Sequence, residues 1–323
     1  MADLTPPLPH RTLILALLGA AVTSSSCRAP EPEWWEAPVP DPVVFAPGII
    51  SSEARDYDIA FTPDGREAYF TRRERRGSPQ IFVSTHSQAG WGDPVPAAFG
   101  TGAEEAPFIT PDGLTMVFSS ARRTRAEPDP GYDIWLMLRE GPAWSQPEPV
   151  GSPVNQPAVE IGRYTLGTEL GPSLLPDGSL LYWTRRDPEW GGDLYVAAPD
   201  GRGGFDEPVP LRANSYGEES NPVLAPGGRH IVFQAYRDAQ GLGGQDLYVI
   251  ERSGYGWLDP VLLPSPINSA GDDGWPSFSP DGRRFFFASD RDNRPGDYDI
   301  YWVDADALGL GLGGREPGRQ AGQ

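Results

Sequence analysis

The chain has 323 residues, with 39 Gly, 37 Pro, ten Trp, twelve Tyr and thirteen Phe, and a formal net charge of −19. That much turn chemistry without low-complexity runs points to many short strands joined by loops, and the aromatic content argues against disorder. The charge excludes the basic face a nucleic-acid partner needs and disfavours adsorption to anionic lipid, while suiting cationic ligands, metal ions, basic protein surfaces or solubility alone. All 26 basic residues are Arg, and Cys27 is the one cysteine. Neither an intrachain disulfide nor a multi-cysteine zinc site can therefore form.

The first elements in chain order form an address. Arg11 supplies a positive start, residues 13–22 are apolar or small, and residues 23–26 are small and polar. This apolar run is too short to span a bilayer comfortably and reads as an export signal. Cys27 stands where a bacterial lipoprotein signal places its acylated residue, and the segment resembles a lipobox. It departs from that pattern at Ser24, where leucine is usual; an ordinary cleaved signal is the alternative. The expected organisation is a signal over 1–27, a tether over 28–33, a folded domain over 34–306 and a Gly-rich tail over 307–323. The expected location is the periplasm or, through Cys27, the outer membrane, with secretion as the alternative.

An internal repeat organises the rest. Five turns align on prolines 63, 111, 176, 226 and 280, each in the form x-Pro-Asp-Gly or, at 226, Pro-Gly-Gly. Proline presets the first central position of a turn and Asp-Gly completes it. An apolar run before each turn and an aromatic-rich run after it predict a hairpin. A third strand follows, opening at Gln80, Asp133, Asp193, Asp246 and Asp299. A fourth follows an aromatic-x-x-Pro signature at Trp91–Pro94, Trp144–Pro147, Phe205–Pro208 and Trp257–Pro260. Four strands in about fifty residues make a propeller blade, with the proline-bearing strand at its outer edge. No such signature follows the fifth turn, but one, Trp35–Pro38, precedes the first. The expected fold is thus all-β: a five-bladed β-propeller of four-stranded blades, its ring closed by the N-terminal strand. Six blades are the alternative, with extra sequence near 158–168.

These repeats are similar to the WD40-like repeat of the TolB β-propeller family. The resemblance rests on the Pro-Asp-Gly turn, the strand after it, the Arg that follows and the later Asp-[Ile/Leu]-[Tyr/Trp], and it spans about residues 35 to 305. It implies a periplasmic or envelope-facing propeller that engages other proteins. The fold alone hosts many functions.

Two repeated residue sets are candidates for a site. Seven residues before each turn proline stand Asp56, Glu104, Glu169, Glu219 and Asp273, with Glu105, Glu218 and Asp272 beside three of them. As the openings of the inner strands, these five are expected around one mouth of the central channel. There they would either draw in a cation or basic peptide end, or accept N–H bonds from their own loops. Ca2+ is the one ion this ring suggests; no other cofactor is implied. The second set pairs an Arg after the second strand with the Asp opening the third: Arg122 with Asp133, Arg186 with Asp193, Arg237 with Asp246 and Arg291 with Asp299, as structural bridges.

Catalytic signatures are sparse. Beyond the address only His86 and His230 remain, and no nucleophile elbow or phosphate loop occurs. The expected function is a non-catalytic, monomeric binding or scaffolding module at the cell envelope. Its partner would be an envelope protein, a peptide or a glycan, and it would touch the membrane only through a lipid anchor. A propeller glycoside hydrolase using paired carboxylates is the alternative.

Overall fold

The structure, a computed structural model, describes residues 38–122, 131–162, 164–186, 191–237, 241–254 and 256–312. The signal, Cys27, the tether and Trp35 lie outside them. Each repeated turn closes a hairpin: Gly65 donates its N–H to the Thr62 carbonyl (2.7 Å) at a φ of 62°. The Asp64 carboxylate accepts from the Thr62 hydroxyl and the Arg66 N–H, which accounts for aspartate within the turn.

Five four-stranded antiparallel blades result. Blade 1 runs Arg55–Phe61, Glu67–Arg73, Gln80–Ser87 and Val95–Pro96. Blade 2 runs Glu104–Ile109, Thr115–Ser120, Asp133–Glu140 and Glu148–Pro149. Blade 3 runs Glu169–Leu174, Leu180–Thr184, Asp193–Ala197 and Val209–Pro210. Blade 4 runs Glu218–Leu224, His230–Tyr236, Gln245–Ser253 and Val261–Leu262. Blade 5 takes Asp273–Phe278, Arg284–Ser289 and Asp299–Asp304 from the end of the chain and Val43–Val44 from its beginning. The extra sequence is a short hairpin, Val159–Ile161 with Tyr164–Leu166, and not a sixth blade.

The closing strand lies four residues beyond the expected signature. Phe45 donates its N–H to the Ile300 carbonyl, as Ala97, Val150, Leu211 and Leu263 do to Ile81, Ile134, Leu194 and Leu247. The sequence equivalent to Trp91–Pro94 is therefore Val39-Pro-Asp-Pro42, with a buried valine in place of the aromatic. The Gly-rich tail also starts later than 307: Ala305–Leu308 is a 3-10 helix, Leu308 is buried, and Leu310 and Leu312 pack on the core.

Apolar residues alternate along the strands and meet between neighbouring blades, giving one hydrophobic cluster per blade interface. The interface between blades 5 and 1 centres on Phe45, whose ring meets Phe61, Trp91, Phe286 and Trp302 at 5.2–5.9 Å. Closure thus depends on one aromatic from the N-terminal strand. Phe45→Ala is expected to cost about 3–5 kcal/mol in urea unfolding. Val43→Ala, on the exposed side of the same strand, should stay within about 0.5 kcal/mol. Equal effects of the two would show that the strand, and not the ring of Phe45, holds the closure.

Candidate functional site

The five repeated acids are all buried without remainder, at 0 % exposure. They do not line the channel. Each is bonded to the loop that enters its own blade and, in four blades, to an Arg at the end of the second strand or just after it. Asp56 accepts from the Ser52 N–H and hydroxyl and from Arg72 (2.6 Å). Glu104 accepts from Thr101, from the Gly102 and Ala103 N–H groups and from Arg122 (3.2 Å). Glu219 accepts from Ser215 and Arg237 (2.9 Å), and Asp273 from Ser269 and Arg291 (2.7 Å). Burial works to raise the Glu104 carboxyl, but Thr101, Gly102 and Arg122 outweigh it and hold it below its ordinary range.

Arg72, Arg122, Arg237 and Arg291 therefore bridge to these acids, and Asp246 and Asp299, which open third strands, are held by other groups. Asp246 instead accepts the Leu242 and Gly243 N–H groups, and Asp299 the Asn293 amide. Asp133 and Asp193 open their strands at the equivalent places. What each Arg meets on the third strand is the aromatic two residues on. Arg72, Arg122, Arg186, Arg237 and Arg291 lie 4.7–5.4 Å from the ring centres of Phe82, Trp135, Tyr195, Tyr248 and Tyr301. Blade 3 differs: Arg186 donates to the Tyr182 hydroxyl, and among the described residues Glu169 accepts from Gln156 and Thr184. Burial pushes the Glu169 carboxyl up to about 8.

Successive side chains on a strand point to opposite sides, so a residue beside a buried acid turns the other way. The channel mouth is built from those neighbours. It is a cavity of about 480 Å3 bordered by Glu105, Glu218 and Asp272, next to the repeated acids, and by Asp58. The inner strands deepen it. Each ladder breaks at the same place, and the displaced residue takes a left-handed backbone: Asp58 (φ 49°), Ala106 (56°), Gly171 (57°), Asn221 (48°) and Trp275 (52°). Four of the five are not glycine, a strained choice of the kind that gathers at binding sites. Side chains of the preceding blade hold two of these bulges: the Ala106 N–H donates to the Thr71 hydroxyl and the Trp275 N–H to Gln234 (2.6 Å).

The five bulge residues repeat in geometry and differ in chemistry. Trp275 packs between Tyr57 (4.9 Å) and Tyr298 (4.7 Å). Glu105 accepts from the Tyr57 hydroxyl, Asp272 from the Tyr298 hydroxyl, and Glu218 pairs with Arg185 (2.9 Å). Asp58 and Glu105 have no ion-pair partner among the described residues. Burial pushes the Glu105 carboxyl up to about 7 against the pull of Tyr57 and Arg73. Burial, then the charge of Glu105, push Asp58 well above the carboxylate range. Behind the bulges the channel opens into a second, largely apolar cavity of about 720 Å3, walled by Pro107, Pro172, Pro222 and Pro276 and running to the Pro-Asp-Gly turns. Neither His86 nor His230 reaches either cavity. Among the described residues no cluster of three or more His, Asp or Glu could hold a metal ion, so the five acids form no Ca2+ cage.

No family model matches the chain, and no curated protein does. Among solved structures, a glycoside hydrolase aligns over 89% of this chain and 95% of its own at 10% identity, with a TM-score of 0.55. A putative TolB from Agrobacterium tumefaciens aligns over 79% of this chain and 78% of its own at 20% identity, with a TM-score of 0.48. TolB from Acinetobacter baumannii aligns at 17% identity and a TM-score of 0.47 over 80% of this chain, which spans 53% of that protein. At these identities the likeness is one of fold. The chain's own fold, a five-bladed propeller, agrees with the TolB-like repeat in its sequence.

Two outcomes follow from these two layers of carboxylates. Arg122→Met strands a buried Glu104 and is expected to cost about 3–5 kcal/mol, while Arg122→Met with Glu104→Gln should recover part of that loss. An additive double variant in urea unfolding would mean that the pair is not coupled. At the mouth the sign reverses. Between about pH 4.5 and about pH 7 the folded chain binds more protons at Glu105 than the unfolded chain, so stability falls as pH rises through that window. Glu105→Gln should therefore add on the order of 2 kcal/mol at about pH 8 and little at about pH 4. A variant matching the parent at both pH values would show that Glu105 carries no burial penalty.

Proposed function

We propose that this chain is an exported, non-catalytic binding propeller of the bacterial cell envelope, and that it takes its ligand or partner at the channel mouth. The observation that carries the reading is the contrast between two neighbouring rings. The repeated acids are consumed in holding the blades together. The residues beside them form an open, concave site with four carboxylates, no cation among its lining residues, and Trp275 at its side. Concave sites with a few converging polar groups on a rigid frame are where propellers bind. Export, and anchoring through Cys27, rest on the pattern of residues 11–27.

A second reading is favoured by one pair of residues. Asp58 and Glu105 come from adjacent blades and both face the mouth; burial raises both, Asp58 well above the carboxylate range and Glu105 to about 7. A glycosidase needs one carboxylic acid that stays protonated beside one that does not. The glycoside hydrolase among the similar folds is consistent with that chemistry.

One experiment separates these readings. The full chain is expressed in a Gram-negative host and captured from envelope extract, alongside an Asp58→Asn/Glu105→Gln variant whose folding is checked by circular dichroism. Partner capture by the parent that is lost in the variant supports binding at the mouth; capture retained by both moves the site to the blade rims. Turnover of a glycan panel, abolished by either single replacement, would put the hydrolase reading in its place. Palmitate incorporation, lost in Cys27→Ser, is the expected signature of the anchor.

A further inference from the structure

The mouth and the apolar channel behind it adjoin at the bulges: Asp58, Ala106, Gly171 and Asn221 border both cavities. A molecule filling both would meet carboxylates at its head and prolines and leucines along its body. Three features narrow the head group. Among the described residues the mouth lining carries Asp58, Glu105, Glu218 and Asp272 and no Arg or His, and Asp58 and Glu105 have no ion-pair partner. This favours a cation over an anion or a neutral head. Aromatic rings of Trp183, Tyr236, Trp275 and Tyr298 stand around the same space, a lining that suits a cation. The third feature is Ser220, only 1 % exposed, which borders the mouth and whose hydroxyl has no hydrogen-bond partner among the described residues. An unsatisfied buried oxygen costs stability until a donor reaches it. An N–H group would satisfy it; a quaternary ammonium would not.

The body of the ligand follows from the second cavity. Its volume of about 720 Å3 falls within the range of small-molecule sites, roughly 300–1,000 Å3. Its walls are prolines and apolar side chains such as Leu136, Leu174 and Phe278. Resting on the reading that the mouth is the binding site, we propose that the channel holds a primary amine in its protonated form, with an apolar body: the ammonium lies among Asp58, Glu105 and Ser220, and the body runs down the proline-walled channel.

The test is titration of the purified chain with n-octylammonium, 1-octanol, octanoate and octyltrimethylammonium, followed by calorimetry and tryptophan fluorescence. Saturable one-to-one binding of n-octylammonium is expected, weakened by added salt, with 1-octanol and octanoate about tenfold or more weaker. Octyltrimethylammonium should fall between, because it cannot donate to Ser220. Asp58→Asn and Glu105→Gln should each lower n-octylammonium affinity about tenfold, and Ser220→Ala a few-fold. Asn tolerates the left-handed backbone at position 58, so that variant keeps the bulge. Octanol binding as tightly as n-octylammonium, indifference to both acid replacements, or no saturable binding would overturn the proposal. If n-octylammonium fails while envelope capture is still lost in the Asp58→Asn/Glu105→Gln variant, the mouth remains the site and the amine is the wrong class.

Discussion

Every blade of this propeller hangs on one buried carboxyl group. A carboxylate at the head of the inner strand accepts hydrogen bonds from the incoming loop and, in four blades, from an arginine that follows the second strand. That arginine also donates to loop carbonyls, as Arg291 does to Pro266 and Ile267, and lies over an aromatic of the third strand. Loop, first strand, second strand and third strand are thus fixed at one point. The charge is tolerable without water because the partners saturate it: Glu104 has Thr101, Gly102, Ala103, Ser120 and Arg122. Asparagine side chains add a second tie. Asn155, Asn214 and Asn268 each accept from and donate to the backbone of Ile134, Leu194 and Leu247 at the third-strand edge, and Ser51 does the same at Ile300.

With the frame held from outside the channel, the inner strands can bend where ordinary sheet would not. The bulge five residues before each turn proline rotates one residue into the channel at a positive φ. Only blade 3 uses glycine there. Adding a Cβ at Gly171 would bring it within 2.4 Å of the Asn221 side chain and 2.9 Å of Trp183, so the channel narrows on that side and a larger residue would not fit. Asn221 accepts from the Trp183 indole N–H (3.3 Å), which ties one bulge to the preceding blade.

Much of this architecture was legible in the sequence because the features that build it recur. The Pro-Asp-Gly turns, the third strands and the need for an N-terminal strand to complete blade 5 all follow from counting repeats. The register of that strand did not, because Val39 replaces the aromatic that marks the position elsewhere and Trp35 offers a false match. The partner of each arginine was misread for a related reason. Asp133 and Asp246 are nearer along the chain to Arg122 and Arg237 than Glu104 and Glu219 are, yet the strand pairing sets Glu104 directly opposite Ser120, and Glu219 opposite Ala235, each two residues before the arginine.

The candidate site was hidden by the same rule that revealed the fold. Repetition in five blades marks what every blade needs, and every blade needs its buried acid. A ligand at the mouth would meet several blades at once and would not need the same chemistry from each. The residues bordering the mouth fall in columns that vary: Asp58, Ala106, Gly171, Asn221 and Trp275 at the bulge, and Glu105, Leu170 and Ser220 one place before it. Alternation along the strand sends the conserved-looking column into the blade and its irregular neighbour into the channel. The carboxylates follow suit. Those in the blades are held by the protein's own donors, and Glu104 by enough of them to sit below its ordinary range. Asp58 and Glu105, without an ion-pair partner among the described residues, are held at a cost to folding that a positively charged ligand would offset.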